Sequence, residues 1–206
     1  MARILVVRHA QSEWNAMGRW QGWADPPLTT LGRSQAERAG RHLLAEGPAV
    51  SKVVSSDLQR ASQTARILAG IAAPSAILSE DPDWREYRVG AWSGLNREQI
   101  EQRWPGDLGR WDRGDLTTPP DGEPREKFEA RLLEALDRTA ATTTDGATTL
   151  VVSHGGAVRS FGRRLNAPFD HVANLAGIHL EGTAGRYRRV GSVNLLPRAD
   201  GRRAQA

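Results

Sequence analysis

The sequence predicts an α/β fold in which helices pack on an open sheet, and three observations carry that prediction. Ile4-Leu5-Val6-Val7 is an unbroken aliphatic run that stops at Arg8-His9. A short apolar run rich in β-branched residues reads as a buried strand, most simply a parallel one. Thr148-Thr149-Leu150-Val151-Val152-Ser153 repeats the pattern and also stops at a histidine, in His154-Gly155-Gly156. Between the two, β-rich runs alternate with stretches of helical character, the order expected of βα units. Ligands of open α/β sheets bind at the carboxyl ends of the strands. Arg8, His9 and His154 are therefore the first candidate site residues, and Gly155 and Gly156 would let backbone approach a ligand closely.

Taken in order, Ser12 is a candidate N-cap for a helical turn or two over 12–17, and residues 18–28 read as a loop. Thr29 or Thr30 caps a helix through Glu46, with Leu31, Ala36, Ala39, Leu43 and Leu44 on one stripe and Gly47-Pro48 as the stop. Residues 50–55 form a second strand. Asp57 is read as the cap of a helix to about Ile71 that carries Arg60 in its first turn. A cation is misplaced there, at the positive end of the helix dipole, and a bound anion would account for it.

A short strand over 76–78 leads to a loop, 83–94, that combines Trp84, Arg85, Glu86, Arg88 and Trp92. Helices are expected over 96–104 and 107–112, then a loop over 117–124, then a helix with Phe128, Leu132, Ala135, Leu136 and Thr139 at spacings of four and three. Residues 95–125 fall outside the βα alternation and read as an inserted lid. A helix over 156–166 follows the His154 strand. Strands over 175–180 and 186–190 flank the hairpin signal Glu181-Gly182-Thr183-Ala184-Gly185, and residues 193–196 add a final short piece. The expectation is one domain over 1–197 and a disordered Gly/Ala/Arg tail over 198–206.

Composition narrows the function classes. With 206 residues, 39% of them hydrophobic, the chain suits one domain with its own core. No apolar run approaches the length of a membrane span, and the run at 4–7 is too short for a signal sequence. Cysteine is absent, which excludes disulfide and thiolate chemistry, so a cytoplasmic enzyme is expected. The net charge is +4 and the pI about 10.2, with Lys52 and Lys127 the only lysines. The arginines are interspersed with acids, which argues against a nucleic-acid partner. No carboxylate cluster suggests a metal site, so neither metal nor cofactor is expected. A homodimer is compatible with the sequence, and the oligomeric state stays open.

The motifs form one ordered series: Arg8-His9 near Asn15, Gly22-Trp23 through Gly32, Asp57-Leu58 with Arg60, Arg85-Glu86 with Gly90, Trp92 and Gly94, and Val152-Ser153-His154-Gly155-Gly156. The series resembles the histidine phosphatase superfamily, the phosphoglycerate mutase-like fold, from about residue 3 to about 166. The resemblance implies a three-layer α/β/α sandwich with a mixed, mostly parallel sheet and a helical cap inserted after the acid-bearing loop. It also implies a phosphate pocket of Arg8, Arg60, His9 and His154 with Asn15, Gln21, Gly22 and Gly155 beside them. His9 would be the nucleophile and Glu86 the proton donor. The sequence departs from the common pattern at Ala10, where glycine is frequent, at Ser93, where many members carry an acid, and at Trp84, often aliphatic.

The residue types suit that chemistry on their own. Arginine forks match phosphoryl oxygens and stay charged. An imidazole nitrogen can attack phosphorus in line and divide the reaction into two displacements, provided that it is neutral. A leaving alkoxide needs a proton, which a carboxylic acid can supply. The expected partner is a small-molecule phosphate ester of sugar-phosphate or phosphoglycerate type, glucosyl-3-phosphoglycerate among the candidates. Cap residues such as Arg110 and Arg113 would choose it. The chain lacks the length of the larger cofactor-dependent mutases, which favours hydrolysis. A phosphoglycerate mutase remains the alternative, as does a catalytically weak phosphate-binding or protein-binding module.

Overall fold

In the computed structural model, which describes residues 1–196, six strands form one sheet. The tail expected over 198–206 lies outside the described residues. In chain order the elements are β1 (Ala2–Arg8), α1 (Glu13–Ala16), α2 (Thr30–Glu46), β2 (Val50–Ser55), α3 (Gln59–Ala72), β3 (Ile77–Glu80), α4 (Arg97–Arg103), α5 (Asp107–Arg113), α6 (Arg125–Ala141), β4 (Thr148–Ser153), α7 (Gly155–Arg164), β5 (Ala176–Thr183) and β6 (Arg186–Asn194). The sheet order is β3-β2-β4-β1-β5-β6. The first four strands of that order are parallel, and β5 runs antiparallel to both its neighbours, β1 and β6, so the sheet is mixed, as expected.

The unbroken apolar run of β1 is explained by two cores. Ile4 and Val6 face one side with Val151, where Phe128, Leu132 and Leu136 of α6 and Val158 and Phe161 of α7 cover the sheet. Leu5 and Val7 face the other with Leu150 and Val152, beneath Ala36, Ala39 and Leu43 of α2 and Ala61, Ala65 and Leu68 of α3. Side chains alternate across a strand, so a strand buried on both faces needs apolar residues at every position.

Three expectations are corrected. Leu31 and Leu44 are exposed, and α2 buries a narrower stripe of Ala36, Ala39 and Leu43 because the helix packs at close range on α3 through small residues. Asp57 does not cap α3; the cap residue is Leu58 with no side-chain bond, and the Asp57 carboxylate is taken by Arg85 instead. The hairpin loop is shorter than its sequence signal, with Thr183 and Arg186 already paired across Ala184-Gly185. Thr29 caps α2 through the Gly32 amide, and Ser12 caps α1 in a reciprocal pair with Asn15.

The long connection from β3 to α6 holds two 3-10 turns and the short helices α4 and α5. It is tied down at Gly90, whose φ of +54° favours glycine. A Cβ there would lie 2.1 Å from the Pro120 carbonyl oxygen, which accepts a hydrogen bond from the Ala91 amide. Gly90→Ala should destabilise the chain by at least about 1–3 kcal/mol, the usual cost of a strained backbone position, and urea unfolding measures it. A stability equal to that of the unaltered chain would show that this segment relaxes freely.

Candidate active site

Parallel pairing of β1 with β4 sets Arg8 opposite Ser153, so His9 and His154, the next residues of each strand, stand side by side. The His9 amide donates to the Ser153 carbonyl at 2.9 Å and extends the ladder one step. The two imidazoles meet edge-on, with ring centroids 5.2 Å apart. His9 Nδ1 lies 2.6 Å from the Ala10 carbonyl oxygen. A carbonyl only accepts, so Nδ1 carries the proton and Nε2 keeps its lone pair. Asn174 Nδ2 donates to the His9 carbonyl at 2.8 Å and fixes the backbone from the other side.

Both imidazoles are held neutral. Burial pushes the His9 pKa well below 6.5, and Arg60 and Arg8 push it the same way. Burial does the same to His154, with further contributions from Arg60 and His9. His154 is fully buried behind His9, and neither of its ring nitrogens has a partner.

The cations around them have no carboxylate of their own. Arg60 is fully buried, and its guanidinium donates to the carbonyls of Gly22 and Ala24, both at 2.8 Å, which leaves Nε unpaired. Burial lowers its pKa to about 10, so it remains charged at neutral pH. Arg8 donates to the Val172 carbonyl at 2.7 Å. Burial lowers its pKa, while Glu86 acts in the opposite sense. Among the described residues neither arginine takes part in an ion pair, so the pocket carries surplus positive charge that suits an anion.

Glu86 faces them from the loop after β3. Its carboxylate accepts from the Tyr87 amide at 2.9 Å and from the Gly156 amide at 3.1 Å. A Cβ at residue 156 would lie 2.0 Å from Glu86 Oε1, so only glycine permits this approach, as the Gly-Gly pair suggested. Arg85, the preceding residue, holds Asp57 in a two-pronged ion pair and lies over the Trp23 ring. That bond keeps the Asp57 carboxyl below its usual range.

A cleft of about 870 Å³ opens over these strand ends, lined by Arg8, His9, Asn15, Gln21, Gly22, Arg60, Glu86 and Gly155 among others. Every residue expected at the phosphate pocket except His154 therefore reaches it. Gln21 is buried and accepts from the Ser12 hydroxyl at 2.9 Å. Among the described residues, no group of three or more His, Asp or Glu side chains is placed to hold a metal ion.

The cap expectation needs correction in its residues. Arg110 pairs with Asp107 and Arg113 with Asp115, and neither lines the cleft. Arg97, Trp111 and Asp112 line it instead, with Trp111 packed edge-on against Trp20, Tyr87 and Trp92. Sequence reasoning also missed Arg131, Arg159 and Asn174. Each lies in a stretch whose local pattern assigns it no task, and nothing short of the folded chain could single it out.

Comparison with known proteins fits this geometry. The family model of the histidine phosphatase superfamily (branch 1) matches residues 4–187. A relative from Methylocella silvestris named 2,3-bisphosphoglycerate-dependent phosphoglycerate mutase is 37% identical over 164 residues, covering 78% of this chain and 80% of that protein. The two chains are therefore of similar length, and length does not separate hydrolase from mutase here. Among solved structures, a mycobacterial glucosyl-3-phosphoglycerate phosphatase complexed with VO3 superposes with a TM-score of 0.80 at 28% identity, covering 94% of this chain and 99% of that one. Bacillus stearothermophilus YhfR gives a TM-score of 0.82 at 28% identity, covering 96% of this chain and all of that one.

The neutral imidazoles make stability depend on pH. An unfolded histidine takes up a proton as pH falls through about 6.5, whereas His9 and His154 in the folded chain do not. The unfolded state then binds more protons, so stability declines as pH falls from 7 towards the lowered folded values. Urea midpoints between pH 7 and pH 5 should fall, and replacing both histidines by glutamine should flatten that decline. An unchanged slope in the double variant would show that the two rings titrate normally.

Proposed function

The chain belongs to the histidine phosphatase superfamily, and on that premise we propose that it is a phosphomonoesterase acting on a small phosphorylated metabolite through a phosphohistidine on His9. The observation that carries this reading is the state of His9: neutral, proton fixed on Nδ1, Nε2 free, at the floor of a cleft with Arg8 and Arg60 beside it. Those guanidiniums suit the phosphoryl oxygens, and the amide of Gly155 at the start of α7 adds a further donor.

In this reading Nε2 attacks phosphorus, the ester P–O bond breaks, and Glu86 protonates the leaving oxygen. Water then attacks the phosphohistidine, Glu86 takes its proton, and the P–N bond breaks to release phosphate and neutral His9. Arg8 and Arg60 hold the charge that spreads over the equatorial oxygens. His154, buried edge-on against His9 with both ring nitrogens unpartnered, backs the nucleophile in this reading. Residues 95–125 act as the cap, with Arg97 and Trp111 against the alcohol part of the ester. The cationic and aromatic lining suits a substrate whose leaving alcohol is both acidic and ring-bearing, as in glucosyl-3-phosphoglycerate.

The names of the curated relatives favour a second reading, phosphoglycerate mutase. The glucosyl-3-phosphoglycerate phosphatase among the solved structures supports hydrolysis, and the cleft opens to solvent past the exposed residues Gly18, Arg19 and Arg159. Rapid quench with a labelled phosphate ester should trap an acid-labile, alkali-stable adduct on His9 that decays to inorganic phosphate. Transfer of the label to a second phosphoglycerate at comparable rate would establish the mutase, and near-normal turnover in His9→Ala would remove the phosphohistidine altogether.

Glu86 is tested through the leaving group. An alkoxide needs a proton to depart and p-nitrophenolate does not. Glu86→Gln should slow alkyl phosphate hydrolysis by about 10²–10⁴-fold, the usual range for general acid catalysis, and spare most p-nitrophenyl phosphate turnover. Equal losses on both substrates would leave Glu86 a structural residue.

A further inference from the structure

We infer that Arg131, on α6, is the positioning residue for Glu86: its guanidinium fixes the backbone of the loop that presents the proton donor. This rests on the reading of Glu86 given above. Arg131 Nη1 donates to the carbonyls of Asp83 and Arg85, both at 2.8 Å, and Nη2 donates to the carbonyl of Glu86 itself at 2.9 Å. Nε and Nη2 donate to the two carboxylate oxygens of Glu123 at 2.8 and 2.9 Å. A guanidinium has five N–H donors, and these bonds use all of them. The Arg131 and Glu123 side chains are only 14% and 10% exposed, so water competes little for either.

The loop needs such a device. The segment 83–88 belongs to no strand, so no sheet ladder satisfies its carbonyls, and a buried carbonyl must find a donor elsewhere. One cation supplies three of those bonds. Glu123 completes the grip further along: its carboxylate accepts from the Arg88 amide at 3.3 Å, and its own amide donates to the Arg88 carbonyl at 2.8 Å. Trp23 Nε1 adds a second donor to the Glu86 carbonyl at 2.8 Å, and the Arg131 guanidinium lies over the Trp23 and Phe128 rings. Trp23 and Glu123, which bond the loop backbone at Glu86 and Arg88, both also touch Arg131. Arg131 does not line the cleft, so it reaches the substrate only through the loop. Lysine cannot replace it, because a point charge lacks the planar fork that spans three carbonyls and a carboxylate.

The test is the leaving-group dependence of Arg131→Lys and Glu123→Gln, measured on protein whose thermal unfolding is cooperative. Displacement of Glu86 by about 1 Å can cost as much as about 10²-fold, so alkyl phosphate turnover should fall by about 10–100-fold while p-nitrophenyl phosphate turnover stays within about threefold. Adding Arg131→Lys to Glu86→Gln should bring no further loss on the alkyl substrate, because both changes act through one group. A uniform loss on both substrates, with Glu86→Gln still selective, overturns the positioning role alone. A uniform loss in Glu86→Gln itself overturns the proton donor and this inference with it. If Arg131→Lys does not fold, Glu123→Gln decides by the same criterion.

Discussion

The parallel pairing of β1 with β4 is the constraint on which the site depends. It sets Arg8 opposite Ser153 and so delivers His9 and His154 to neighbouring positions at the same edge of the sheet. Side chains alternate across a strand, so a slip of one residue would turn the aliphatic runs of both strands to the wrong faces and separate the imidazoles. The register is held by two cores at once, since Ile4 and Val6 are committed to one face and Leu5 and Val7 to the other. Burial on both faces therefore sets the geometry of the histidines more firmly than any contact between them does.

Electrostatics then acts on that frame. Arg8 and Arg60 are brought beside His9 with backbone carbonyls, and no carboxylates, as their direct partners. Carbonyls satisfy the N–H groups without cancelling the charge. Burial first, and after it the same two cations, push the His9 pKa down, so a neutral imidazole and surplus positive charge occur together in one pocket. Where a cation near the site must be silenced, a carboxylate is supplied: Arg85 has Asp57 and Arg131 has Glu123. Arg8 and Arg60, bound only to carbonyls, stand beside His9, whereas Arg85 and Arg131, each held by a carboxylate, brace the loop of Glu86.

The chain uses tryptophan in the same two ways. Trp84 and Trp92 are fully buried in the core, and each leaves an indole N–H without a partner. Trp20 and Trp111 pack on that core yet reach the cleft, so the aromatic cluster joins the cap to the loop that carries Glu86. The cap is short, and α4 and α5 together bury only Ile100 and Leu108 fully. Its place over the site is set by Trp111 and by the Arg125 guanidinium, which lies over that ring and donates to the carbonyls of Gly114 and Leu116.

Local chemistry alone determined the strands, most helix limits and the site residues that end strands or begin helices. Arg8, His9 and His154 are legible because an apolar run that stops at a polar pair marks a strand end, and strand ends of such sheets meet at one place. Arg60 is legible because a cation at the positive end of a helix lacks a local reason. Glu86, Gln21 and Gly22 are legible only through the resemblance to the histidine phosphatase superfamily, since loops carry no periodicity to read. Only the tertiary structure decided that Asp57 belongs to Arg85 and not to a helix cap, that Trp111 and Arg97 rather than Arg110 and Arg113 face the cleft, and that Arg131 grips the loop of Glu86. Those outcomes depend on partners 11 to 48 residues distant in the chain, or on which side of a short helix faces inward. A one-dimensional pattern fixes which residues are buried on an element, but the partner of a charged side chain is set by whichever opposite charge or carbonyl the packed elements bring within about 3 Å.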